Sequence, residues 1–101
     1  MVRILIERHL KEDKRGDLVP LLRECRAAAK HYPGFITGET LVNTEDSSII
    51  TVICTWHSLE EWTAWYKSEL RIKLEREIEP LLLEKPKVST HQVMAAEQKV
   101  G

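Results

Sequence analysis

The sequence predicts an α+β domain: one four-stranded antiparallel sheet with helices packed on a single face. Three observations carry the prediction. Four stretches read as strands, at Val2–His9, Phe35–Asn43, Ser48–Trp56 and Lys87–Ala95. Two longer stretches repeat apolar residues at helical spacing, one after the first strand and one after the third. A short polar turn joins the second strand to the third, too short for anything but a hairpin.

The elements follow in chain order. In the first strand Val2, Ile4 and Ile6 point one way and Arg3, Leu5 and Glu7 the other, and Arg8 continues the apolar face. Lys11–Gly16 is a charged loop. Asp17 is a candidate N-cap, with Pro20 in the first turn of a helix reaching about Tyr32. Leu18, Leu21, Leu22, Cys25, Ala29 and Tyr32 form its apolar stripe. Pro33-Gly34 stops it. Gly38 within the second strand suggests a bulge or a close backbone approach. Thr44–Ser47 supplies the hairpin turn. The third strand is largely apolar on both faces and so needs a cover on both.

Ser58 and Glu61 have the S-x-x-E spacing of a capping box. The second helix is expected from Leu59 to about Leu83, with a bend near Ser68 or Pro80. Leu59, Trp62, Tyr66, Leu70, Leu74, Ile78 and Leu81 form its predicted buried stripe, with Trp65, Glu69, Ile72 and Arg76 on a separate flank. Pro86 opens the last strand. The domain ends near Ala95, and the polar tail Ala96–Gly101 is expected to be mobile. The order β-α-β-β-α-β is that of the ferredoxin-like arrangement. Helices on one face leave the other to be covered by a second copy of the chain, so a homodimer through the sheet is expected.

At 101 residues the chain makes one domain. A net charge of -1, with both signs spread along the sequence, argues against a nucleic-acid or anionic-membrane partner. No apolar run approaches the roughly 20 residues of a membrane span. Cys25 and Cys54 lie in apolar patterns without zinc spacing, as free thiols in a cytoplasmic protein would. There is no glycine-rich nucleotide motif and no metal-ligand spacing.

Pro33-Gly34-Phe35 with Gly38 following, Thr55-Trp56-His57-Ser58 at the strand-to-helix junction, and Leu59-Glu60-Glu61-Trp62-Thr63-Ala64-Trp65 after it resemble the antibiotic biosynthesis monooxygenase family of dimeric α+β barrels. The resemblance spans Val2 to Met94. It implies the ferredoxin-like fold, a homodimer, and a monooxygenase that needs no cofactor and acts on a small aromatic, phenolic or quinol-like substrate. The family also holds haem-degrading members, which use a helix-two tryptophan, a haem-ligating histidine ten residues later and a strand-one asparagine. Trp65 matches the first. Glu75 stands at the histidine and Arg8 at the asparagine, which disfavours haem.

Deprotonating a phenol and handing its anion to dioxygen calls for a base, donors for the anion and a dry cavity. Histidine is the natural base near neutral pH, and His9, His91 and His57 are the candidates; His31 lies off the apolar stripe of the first helix. The expected pocket residues are Trp65, Ile72, Arg8, Arg76 and Tyr66, and the three tryptophans are the side chains most suited to lining a pocket. Arg8 either pairs with a helix glutamate or anchors an acidic or phenolate ligand. The oxygenase reading calls for a cavity of roughly 300 Å³ beside Trp65. The competing reading is a dimeric binding or structural protein of the same fold with a filled core.

Overall fold

Alternation along the strands decides which side chains face the helices. The computed structural model describes residues 1–99. Its strands are β1 (Val2–His9), β2 (Phe35–Val42), β3 (Ile49–Trp56) and β4 (Lys87–Gln92), in the order β2-β3-β1-β4, all antiparallel. The helices are α1 (Arg15–Ala29), α2 (Leu59–Tyr66) and α3 (Glu69–Ile78), and a single 3₁₀ turn, Glu79–Leu81, follows α3. This is the ferredoxin-like βαββαβ arrangement, with its second helix divided in two. Ala96–Lys99 carry no regular structure, and Val100 and Gly101 of the expected tail lie outside the described residues.

In β1 the residues Val2, Ile4, Ile6 and Arg8 are buried and face the helices. Their partners on β3 are Trp56, Cys54, Val52 and Ile50. Two apolar clusters share this face. Trp56, Trp62, Trp65, Ile4 and Ala29 belong to the first, and Leu10, Leu18, Leu22, Ile50 and Ile78 to the second. On β1 the inward residue before Arg8, Ile6, belongs to the first cluster, and Leu10 beyond it belongs to the second. Arg8 therefore sits at their seam.

Four local expectations change. Helix α1 begins at Arg15, ahead of Asp17, because Asp17 N and Leu18 N already donate to Lys14 O, at 3.1 and 3.0 Å. Pro20 therefore lies inside the helix rather than in its first turn. The strand irregularity falls between Phe35 and Thr37, while Gly38 pairs regularly with Cys54. The glycine with a special conformation is Gly34, at φ 94°, where an added Cβ would stand 2.6 Å from the Glu61 side chain.

The fourth change matters most for the site. At the first of the two places where a bend is expected, the long helix breaks outright, at Lys67-Ser68. Ser68 is extended (φ -66°, ψ 146°) and caps α3, its Oγ accepting from Arg71 N at 3.2 Å. The break re-phases the helix. Trp62 and Trp65 are buried on α2, and Leu74 and Ile78 on α3. Leu59, Tyr66 and Leu70, which a straight helix would bury with them, are exposed instead.

Candidate functional site

Between α1, α3 and the inner face of the sheet lies a cavity of about 60 Å³. Its apolar wall is aromatic: Trp56 from the end of β3, Trp62 and Trp65 from α2, and Phe35 from β2. The rings meet edge to face, Trp56 with Trp62 at 5.9 Å, Trp56 with Phe35 at 5.5 Å, and Trp65 with Tyr32 at 4.9 Å. Trp65 is only 5% exposed. Although it lies off the main stripe of the helix, Trp65 belongs to the buried cluster as well as to the cavity wall.

The polar wall is charged. Arg8 donates through Nη2 to Glu75 Oε1, and its side chain is 3% exposed. Arg71 Nη2 stands 3.8 Å from the same carboxylate oxygen. The Arg71 guanidinium also lies 4.1 Å from the Tyr66 ring centroid and donates through Nη1 to Tyr66 O at 3.1 Å. Burial pushes Arg71 below the usual arginine range, and the Glu75 carboxylate opposes the shift. Arg26 lines the mouth and donates to Thr40 Oγ1. With Arg8, Arg71 and Arg26 against Glu75 alone, the charged residues lining the cavity carry a surplus of positive charge.

Both cysteines line the cavity. Burial raises the Cys25 thiol to about 11, with Glu75 adding to the effect. Burial also raises Cys54, and the Trp56 indole N–H opposes it. Both thiols are therefore held in the protonated form near neutral pH.

The residues singled out from sequence divide sharply. Trp65 and Arg8 reach the cavity. Ile72, 38% exposed, and Arg76, also exposed, lie on the outward side of α3. Tyr66 is 40% exposed and borders an outer groove rather than the cavity.

None of the three histidines lines the cavity. His9 alternates with Arg8 and so lies on the opposite sheet face, 3.7 Å from Glu84 Oε1 and 3.9 Å from Asp46 Oδ2. His91 is paired with Arg3 on that outer face, and its ring nitrogen lies 2.9 Å from Ser89 Oγ. The His57 side chain is 80% exposed, its Nδ1 3.0 Å from Glu61 Oε1. That carboxyl is held below its usual range by hydrogen bonds from Ser58 and His57. His57 and Glu61 thus serve the start of α2.

The polar and thiol residues of the cavity that sequence reasoning missed as site members are Arg71, Arg26, Cys25, Cys54 and Glu75. Glu75 was legible only as the place where a haem ligand was absent. Among the described residues no group of three or more metal-ligating side chains comes together. The residue set does not fit haem either: the cavity is far smaller than the group, offers no imidazole, and has its Glu75 carboxylate committed to Arg8.

The match to known proteins agrees with this architecture. The model of the antibiotic biosynthesis monooxygenase family matches residues 1–73. The chain belongs to that family. No curated protein matches it significantly. Among solved structures it is similar to a Deinococcus radiodurans protein described as a candidate antibiotic biosynthesis monooxygenase, with TM-score 0.88, 13% identity and full coverage of both chains. It is also similar to SnoaB, a cofactor-independent oxygenase from Streptomyces nogalater, solved as an asparagine-to-alanine mutant, with TM-score 0.86, 9% identity and 97% of each chain covered. A third neighbour, the Nitrosomonas europaea protein NE2512, is of unknown function, with TM-score 0.79, 16% identity and 99% and 95% coverage of this chain and of that one. At these identities the structural likeness speaks for the fold. Among the described residues no helix is long and apolar enough to cross a membrane.

Proposed function

We propose that this family member is a cofactor-independent monooxygenase of a small aromatic, phenolic or quinol-like substrate. The observation that carries the reading is the pairing of a tryptophan-walled cavity with the buried Arg8–Glu75–Arg71 cluster at its polar side. A phenol entering there meets surplus positive charge, which favours its anion. Glu75, the one carboxylate lining the cavity, takes the proton in the role that sequence reasoning gave to histidine, as Arg8 transfers its hydrogen bond from the carboxylate to the phenolate oxygen. Arg8 and Arg71 hold the phenolate oxygen, and the ring packs on Trp65. The reaction balances without an added reductant: a phenol with a free para C–H plus dioxygen gives a para-quinone and water. The substrate supplies all four electrons, one oxygen atom enters the ring, and the other leaves as water with the two hydrogens that the substrate loses.

A second reading draws on cavity size. About 60 Å³ is far below the roughly 300 Å³ of an ordinary ligand pocket. This favours a non-catalytic binding or structural protein of the same fold. Oxygen uptake across a panel of phenols and quinols separates the two. Uptake by the wild type that falls at least about tenfold in Glu75→Gln supports the oxygenase. No uptake with any member of the panel selects the second reading.

Either reading is proposed for a homodimer. Leu5, Ile49, Ile53 and Leu41 lie on the sheet face away from the helices, and a second copy would bury them. Light scattering at micromolar concentration is expected to give twice the 11.7 kDa chain mass. The single-chain mass would overturn the assembly. A reducing cytoplasm suits two free thiols.

A further inference from the structure

The cavity does not end at its charged wall. On the far side of Arg71 and Glu75 lies a groove of about 250 Å³, bordered by Tyr66, Glu79, Lys85 and Val88 and by the same two charged residues, so that Lys85 offsets Glu79 there and the surplus positive charge stays with the inner wall. Arg71 and Glu75 are thus a shared wall between two spaces. The inner space alone is smaller than the roughly 150 Å³ cavity that accepts a benzene ring. The two together reach the scale of an ordinary ligand pocket.

Two further features point to what such a joined site takes. Arg8 is 2% exposed, yet its Nε has no hydrogen-bond partner among the described residues. The indole nitrogen of Trp56, fully buried, is in the same condition. The nearby Cys54 sulfur is a weak acceptor at best. Both residues line the inner cavity. Orphaned buried donors cost free energy until an acceptor meets them. The one carboxylate of the inner cavity is already shared between Arg8 and Arg71, so a positive charge stays uncompensated there.

We propose that the inner cavity and the outer groove are one site for an aromatic mono-anion, whose charged group lies between Arg8 and Arg71 and whose ring lies against the tryptophans. Arg71 is the movable wall. Turned outward from Tyr66, it vacates its own volume, joins the two spaces and still faces the anion. This deepens the reading of the cavity as a substrate site, but it does not depend on oxygenation taking place.

The test uses the three tryptophans of the chain, all of which line the cavity, as the reporter. Benzoate, neutral benzamide and p-nitrophenol are titrated against tryptophan fluorescence. Benzoate is expected to bind at least about tenfold more tightly than benzamide, the scale of one charge-assisted hydrogen bond. For p-nitrophenol, binding is expected to enrich the coloured phenolate. A response to benzoate alone assigns the site to carboxylates, and a response to p-nitrophenol alone assigns it to phenolates. Arg71→Met, which keeps the side-chain stem, is expected to erase the preference for benzoate. Arg8→Lys, which keeps the charge but lacks Nε, is expected to weaken anion binding by about tenfold. Circular dichroism checks that both variants fold. Measurable and equal affinity for benzoate and benzamide overturns the proposal, as does a preference that survives in both variants or no response to either anion. Anion binding without oxygen uptake defeats the oxygenase reading alone. Oxygen uptake without an anion preference defeats this proposal alone.

Discussion

Arg8 and Glu75 stand 67 residues apart in the chain and meet inside it as an ion pair, at the seam between the two apolar clusters. An arginine so buried is tolerable only with a partner in hydrogen-bond contact. Glu75→Ala is therefore expected to destabilise the protein by about 3–5 kcal/mol, since it strands the guanidinium. The double variant Arg8→Met/Glu75→Leu is expected to regain most of that loss. Urea denaturation of both single variants and the double variant measures the coupling. Additive effects would show that the pair contributes nothing as a pair.

Trp65 carries both packing and contact with the cavity. Trp65→Ala is expected to cost about 3–5 kcal/mol, a typical penalty for deleting a buried tryptophan. Trp65→Phe keeps a ring against Tyr32 and is expected to fold with a smaller loss. Thermal melts rank the two. The phenylalanine variant is the one suited to oxygen-uptake assays, because its fold survives.

The raised Cys25 thiol makes stability depend on alkaline pH. Its folded value, about 11, lies above the ordinary 9.0, so the native state holds the proton more tightly than the unfolded chain does. The contribution is complete below pH 9.0 and is lost as pH rises through about 11, amounting to at most about 3 kcal/mol. Urea midpoints at pH 8 and pH 10.5 are expected to differ more in the wild type than in Cys25→Ala. Alkylation of Cys25 by iodoacetamide in the native protein is expected to be slow near neutrality.

Ser68 holds the start of α3. Removing its Oγ in Ser68→Ala is expected to cost about 1 kcal/mol. Because Glu75 rides on α3, the substitution is also expected to loosen the ion pair with Arg8. Hydrogen exchange at the amides of α3 measures that effect, and unchanged protection would show that packing alone sets the helix.

Most of the fold was legible because its signals are local. Alternation placed Ile4 and Arg8 together on one face of β1 and Cys54 and Trp56 together on one face of β3, and Pro33-Gly34 marked the end of α1. The capping serine Ser58 was legible for the same reason, and its Oγ does accept from Glu61 N. The site was less legible, because its assembly depends on a phase that spacing alone does not reveal. On an uninterrupted helix Trp65 and Glu75 lie off the main stripe, and Ile72 and Arg76 look like their companions. Only the break at Lys67-Ser68 separates the first pair from the second. The histidines misled for a different reason. Their chemistry suits a base, but strand parity sends His9 outward and register puts His91 on the same outer face.

The joint at Lys67-Ser68 has a consequence for how such a site can diversify. Each residue added to or removed from a helical connection turns the rest of the helix by about 100°. A single insertion or deletion at the joint would therefore bring a neighbour such as Leu74 or Arg76 to the place that Glu75 now occupies. The sheet and the tryptophan wall would be untouched. The same turn would carry Arg71 from the cavity and Leu74 and Ile78 from the core, so a change of length at this one joint re-deals the charged wall of the cavity and the packing of α3 together.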